Sequence, residues 1–478
     1  MRLMVILLLF IFFQTGSVIA QANKCVCNEN LKKVIEKTEL NYAGFPLKVT
    51  TSNRGEYNAM VNALLNKVAG ETNAKNCFYL IEQYIHFFRD KHFILSYNNE
   101  RDFDSSVIAI DTAKISDLTS TQPSLPFVGI WVNPDGSTKI AIILNSDGGY
   151  SAVKLDSIND NFPIGFVYFT IKNTSGKFFV KEYNLFLSTA IPAKQNGNLL
   201  QIWNHAMWGR IYPKSMNDEE KEVLTTWQNN NNGLVFKKLN EQFTYLKVPT
   251  FFNNDNAIQE LVAKNDAVIR ATKYLIVDLT GNGGGNTGWI NFLPYFMTNP
   301  IIQQPSYVRV SKDNIPLKLE DIAPYVNNPI SEEYKKYFPD DVLNSYKKAY
   351  AELPNTKQTF YPIPGVTFPL DSVINQPQKI ALLVDDLCGS STEYFFYLSK
   401  QSKKTTTYGV NTIGMMDYEG MSTPTKLPYD KFILTIPIVK SSWTDKHPID
   451  QSGFKPDVLL KMPQDEWIQY VMKDLPTK

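Results

Sequence analysis

The stretch Val277-Asp-Leu-Thr-Gly-Asn-Gly-Gly-Gly285 is an apolar strand end that runs into a glycine cluster, with helix-compatible sequence beginning near Gly288. Glycines let backbone N–H groups approach a ligand closely, and a helix N-terminus adds partial positive charge, so the loop suits an anion or an oxyanion. Gly283, Gly285 and Gly288 also satisfy G-x-G-x-x-G. A dinucleotide reading lacks the acidic residue about twenty positions further on, and a Walker loop lacks its Lys-Ser/Thr pair. A glycine-rich turn without function is the plain alternative.

Outward from this loop, strands and helices alternate. A strand lies at 245–249, a polar helix around 257–270, a strand at 379–384, a helix at 391–399 and a strand at 432–439. Such alternation predicts an α/β core with a covered sheet over 244–478, with 315–364 as a Pro- and Asn-rich excursion. Short aromatic or alternating runs between 126 and 236, punctuated by Asn133-Pro-Asp-Gly136 and Asp147-Gly-Gly149, predict an all-β domain over 101–243, either a sandwich or a barrel. Its aromatic residues suggest carbohydrate or lipid binding. The simpler reading is that Trp131, Tyr168 and Phe169 fill the domain's own core. Helical spacing of Leu31, Val34 and Ile35 and of later apolar groups predicts a small helical cap over 21–100.

Residues 1–20 have a different texture. Arg2, an apolar run at 4–13 and Ala20 before a cleavage point read as a secretory signal peptide, since ten apolar residues are too few to span a bilayer. Export is therefore expected, with no stable membrane insertion. In that setting Cys25 or Cys27 could bridge to Cys77. Cys-Val-Cys without a nearby His pair does not have zinc-ligand spacing, so neither a metal nor a cofactor is expected. Of 478 residues, 43% are hydrophobic and 20% charged, with 48 Lys+Arg against 47 Asp+Glu. That balance excludes a basic nucleic-acid-binding chain and an acidic disordered one.

Three further segments carry chemistry. Val384-Asp-Asp-Leu-Cys-Gly-Ser-Ser-Thr-Glu393 puts Ser390 and Ser391 at a helix N-terminus, where a nucleophile's developing negative charge is stabilised. The competing structural reading makes one serine an N-cap, with Glu393 completing a capping box. Cys388 reads as a small apolar lining residue rather than a thiol nucleophile. Phe88-Arg-Asp-Lys-His92 offers an imidazole as general base, with His447 as its competitor. Pro448-Ile-Asp450 offers a carboxylate to orient it.

In this order the segments resemble the C-terminal processing (tail-specific) proteases and their tricorn-core-like relatives, over about 230 residues from Tyr245 plus Asp90-Lys-His92. Tyr245-Leu-Lys-Val-Pro-Thr-Phe251 and Asp278-Leu-Thr-Gly-Asn-Gly-Gly-Gly285 are similar to two family motifs, with Thr280 where an arginine is usual. Cys388-Gly-Ser-Ser-Thr-Glu393 lies on the nucleophile motif and selects Ser390. Gly409-Val-Asn-Thr-Ile-Gly414 is followed by Met415 where the Ser-Lys branch carries its lysine. The resemblance therefore implies the Ser-His-acid branch, with a Ser390–His92–Asp450 triad and an oxyanion hole from the N–H groups of Gly284 and Ser391. It also implies a ClpP/crotonase-like α/β core. The expected function is that of an exported serine endopeptidase acting on protein or peptide substrates. The alternative is a catalytically inactive binding protein that keeps the fold. No carboxylate-binding loop of the PDZ kind is recognisable, and the sequence leaves oligomeric state open.

Overall fold

The strand Tyr274–Asp278 is buried at every position and pairs in parallel with Phe243–Lys247 on one side and Lys379–Val384 on the other. With Val235–Lys238, Thr405–Gly409 and Val458–Leu459 these strands form a six-stranded sheet, parallel except at the 235–247 pair. Successive side chains point to opposite faces. Leu275, Val277, Ile380 and Leu382 accordingly join an apolar cluster with Phe395 and Phe396 of the helix Ser391–Ser399. Tyr274, Ile276, Ala381 and Leu383 face a second cluster with Trp467 and Val471 of the helix Trp467–Asp474. Because the neighbours are parallel, the loops after Asp278 and after Val384 leave the same sheet edge side by side, which is where sites form on such sheets.

The computed structural model describes residues 24–98, 106–111, 125–227, 233–332, 335–421 and 423–478. The signal-peptide reading of 1–20 lies outside the described residues.

Between Gly129 and Tyr212 eight strands close into an antiparallel barrel, sealed where Ala206–Tyr212 pairs with Gly129–Val132. Trp131, Ile140, Ile142, Phe169, Ile171 and Ile202 fill its interior. Tyr168 packs against the same cluster, half-buried, and donates its hydroxyl to Asp160 Oδ2 at 2.6 Å.

The expected ClpP/crotonase-like α/β core is corrected by this arrangement. The chain forms a closed eight-stranded barrel together with mixed sheets. The strand that alternation places at 432–439 of one covered sheet pairs elsewhere. Phe432–Thr435 lies antiparallel to Ile94–Tyr97, and Ser306–Arg309 joins Phe360–Ile363 and Val439–Lys440 in a four-stranded sheet of its own. Periodicity separates strand from helix but says nothing of the partner a strand will choose.

At the N-terminal end the helices Cys27–Asn41, Arg54–Lys67 and Ala74–His86 pack together, and the first and last are joined by a Cys27–Cys77 disulfide. Cys25 is a buried free thiol. The strand Ile94–Tyr97 then lies between Phe432–Thr435 and Phe186–Leu187, a short strand that leaves the barrel to reach it.

Candidate active site

Ser390 stands at the start of the helix Ser391–Ser399 with φ 51° and ψ −121°. A non-glycine residue in that region stores of order 1–3 kcal/mol of strain, and a sharp strand-to-helix turn of this kind lifts a nucleophile's hydroxyl clear of the backbone. Its side chain makes no capping hydrogen bond. Glu393 does not complete a capping box either. It is fully buried and accepts hydrogen bonds from Thr412 Oγ1 (2.6 Å) and from the N–H groups of Gly414 (2.7 Å), Met415 (2.9 Å) and Met416 (3.1 Å). One carboxylate thus holds the 412–416 segment against the helix Ser391–Ser399.

His92 Nε2 lies 3.1 Å from Ser390 Oγ. Its Nδ1 lies 2.7 Å from the backbone oxygen of Tyr418. A carbonyl only accepts, so Nδ1 carries the proton and Nε2 presents a lone pair to the hydroxyl. Burial pushes the His92 imidazole below its ordinary value, against the opposing pull of Asp90 and the Tyr418 carbonyl. The loop is held by Asp90, whose Oδ1 accepts the His92 N–H (2.8 Å) and whose Oδ2 accepts the Tyr42 hydroxyl (2.6 Å). His447 is exposed on the surface.

Asp450 is buried close by, but its carboxylate is engaged by Lys48 Nζ rather than by the imidazole. Its Oδ1 has no partner among the described residues. Lys91 ties the two loops together, donating to the carbonyl oxygens of Gly414 (2.7 Å) and Asp450 (3.0 Å). Burial and the neighbouring Asp90 push the Asp450 carboxyl up to about 7 despite Lys48.

Gly284 has φ +97°, and a Cβ there would come within 2.7 Å of Ser390 Cβ and 2.9 Å of the Ser391 nitrogen. The glycine loop therefore lies directly against the turn at Ser390. The Gly284 N–H donates to Asn282 Oδ1 (2.9 Å), whereas the Gly285 N–H meets no acceptor among the described residues. Ser391, as the first residue of its helix, has no intrahelical acceptor for its N–H.

Other residues singled out in the sequence sit behind these loops. Cys388 is fully buried, donates to Leu279 O (3.0 Å) and has its thiol pushed well up by burial, so it belongs to the core. Lys247 bonds Asp278 Oδ1 (3.1 Å) and Thr280 O (2.7 Å), placing a cation beside the threonine that replaces an arginine. The Met415 sulfur occupies the space a Cβ on Gly389 would need.

Tyr418 and Lys48 escape sequence reasoning. Tyr418 contributes a backbone oxygen, which no side-chain pattern signals, and Lys48 is an isolated lysine 402 positions from its partner.

Residues 242–460, a little under half of the chain, match the model of peptidase family S41. The chain is a serine-type peptidase. Among solved structures the peptidase is similar to mature CPAF, at 12% identity and TM-score 0.54 over 94% of this chain and 97% of that one. It is equally similar to mature CPAF complexed with lactacystin, at 13% identity and TM-score 0.54 over 95% and 98%. The fold is thus tail-specific-protease-like. No curated protein sequence matches the peptidase.

Proposed function

We propose that this peptidase cleaves peptide bonds with Ser390 as nucleophile and His92 as general base. The reading rests above all on the His92 imidazole, whose Nδ1 is turned to the Tyr418 carbonyl and whose Nε2 faces Ser390 Oγ. Ser390 Oγ attacks the scissile carbonyl carbon while its proton passes to His92 Nε2. The tetrahedral oxyanion is received by the Ser391 N–H and by the Gly284 N–H, which must leave Asn282 Oδ1 to reach it. His92 then returns the proton to the amine nitrogen as the carbon–nitrogen bond breaks, and water releases the acyl group by the same route reversed. Asp450 acts at one remove as a positioning residue, through Lys48 and through its own carbonyl on Lys91.

A cavity of about 770 Å³ beside the site, lined by Lys91, Leu387 and Ile413 on one side and Phe178 and Lys194 on the other, does not include Ser390 or His92 in its lining and would take the part of the substrate chain flanking the scissile bond. A disulfide at Cys27–Cys77 is in keeping with an exported protein.

The deciding comparison is wild type against Ser390→Ala on a denatured protein substrate, with fluorophosphonate labelling of both. Loss of hydrolysis and of labelling in the variant, with folding retained, is expected. Undiminished hydrolysis by a folded Ser390→Ala protein would overturn the assignment.

A further inference from the structure

One rim of the barrel touches both loops of the site. The turn between the barrel strands Leu199–Ile202 and Ala206–Tyr212 carries Trp203 and Asn204. Trp203 Nε1 donates to Leu387 O, three residues before Ser390, at 2.9 Å. Asn204 Oδ1 accepts the Gly283 N–H, one residue before Gly284, at 3.0 Å. Gln201 Nε2 donates to Gly281 O at 3.2 Å. Lys194, on the barrel strand Ile191–Asn196, bonds Asp385 Oδ2 (2.9 Å) and Asp386 Oδ1 (3.1 Å), and Asp385 Oδ1 in turn accepts the N–H groups of Gly281 (2.8 Å) and Leu387 (3.1 Å).

The glycines themselves carry the mark of this contact. A Cβ on Gly283 would fall on the Trp203 indole nitrogen, and one on Gly281 would fall on the Gln201 amide. Two glycines that sequence reasoning assigned to close approach of a ligand are therefore needed for close approach of the barrel. Asp385 is buried, and burial alone would raise its carboxyl. Lys194 and the Gly281 N–H outweigh that effect and hold it below the ordinary carboxylate range.

We propose that Trp203 and Asn204 are positioning residues that hold the glycine loop and the nucleophile turn in register, so that the barrel is a working part of the oxyanion site. The proposal rests on the Ser390–His92 reading above. Fixed donors stabilise an oxyanion only if they are held at the place where charge develops, and loosening an outer partner by a fraction of an ångström is felt in the transition state more than in substrate binding.

The test compares wild type, Asn204→Ala and Trp203→Phe in the full chain. For each variant kcat and KM on a peptide substrate are measured, with the affinity of a peptidyl boronate that forms a tetrahedral adduct on serine. Asn204→Ala should lower kcat by about 10–100-fold, since a misplacement of about 1 Å at a reacting centre costs about a hundredfold. KM should stay within about twofold, and boronate affinity should fall in parallel with kcat/KM. Unchanged kcat, a loss confined to KM, or an unchanged boronate affinity with reduced kcat would each overturn the proposal. If Asn204→Ala does not fold, Trp203→Phe, which keeps an aromatic six-membered ring but loses the pyrrole half of the indole with its N–H donor, is judged by the same criteria. An inert Ser390→Ala beside a fully active Asn204→Ala overturns the barrel's role alone, whereas an active Ser390→Ala overturns both readings.

Discussion

His92 Nδ1 sits 2.7 Å from the backbone oxygen of Tyr418, so the tautomer of the imidazole is held by the main chain and not by a carboxylate. A neutral acceptor stabilises the imidazolium less than an anion would. With burial pushing in the same direction, His92 stays unprotonated below the usual imidazole range.

The acid limb of kcat/KM should accordingly fall below about pH 6.5, the ordinary histidine value. Stability has a matching sign. Between the depressed folded value and about 6.5 the unfolded chain binds more protons, so stability rises with pH across that window. A rate profile with its acid limb at or above 6.5 would contradict the burial argument, and His92→Ala should abolish the limb along with the activity.

Asp450→Asn separates a partner of the imidazole from a loop-positioning residue. It should reduce kcat by less than about tenfold, against about a thousandfold or more for His92→Ala. Equal losses would instead put the carboxylate to work on the imidazole. The wild-type carboxyl, with its folded value near 7, holds a proton that the unfolded chain has already lost. Its contribution to stability is therefore present at low pH and is lost as pH rises from about 4 towards 7. Urea denaturation at both ends of that range should show the slope in wild type and its absence in Asp450→Asn.

Glu393→Gln replaces one of two acceptor oxygens with a donor facing backbone N–H groups. Four hydrogen bonds converge on this fully buried carboxylate. A loss of about 2–4 kcal/mol in unfolding free energy is expected, with the 412–416 segment the first to gain hydrogen exchange. Stability within about 0.5 kcal/mol of wild type would show that the segment is held by other means.

Removing the Cys27–Cys77 bridge by Cys77→Ser should cost about 2–5 kcal/mol, since it closes a separation of 50 residues. Denaturation of wild type with and without reductant should reproduce the difference. A reductant effect that persists in the variant would point to chemistry at Cys25 or Cys388.

The pairing of Ser390 with His92 is legible in the sequence because both side chains lie within short, recognisable runs. The acid illustrates the limit of that method. Asp450 lies in the expected turn, yet its carboxylate meets Lys48, a choice made by packing around a lone lysine. Barrel and sandwich remained equal readings because closure depends on one pairing, Ala206–Tyr212 with Gly129–Val132, and alternation does not encode pairing. The glycines were legible as a loop needing close approach, but what approaches Gly283 is Trp203, from a segment eighty positions upstream.

Ser390 and His92 are 298 positions apart, and the strand that follows the histidine is flanked by one strand from the middle of the chain and another from near its end. A chain still emerging from the ribosome holds an imidazole with no hydroxyl to activate. The hydroxyl, once made, is useless until the N-terminal helices and the barrel have docked on it. On the proposed reading, proteolytic capacity is thus deferred until the chain is complete and its distant segments have docked.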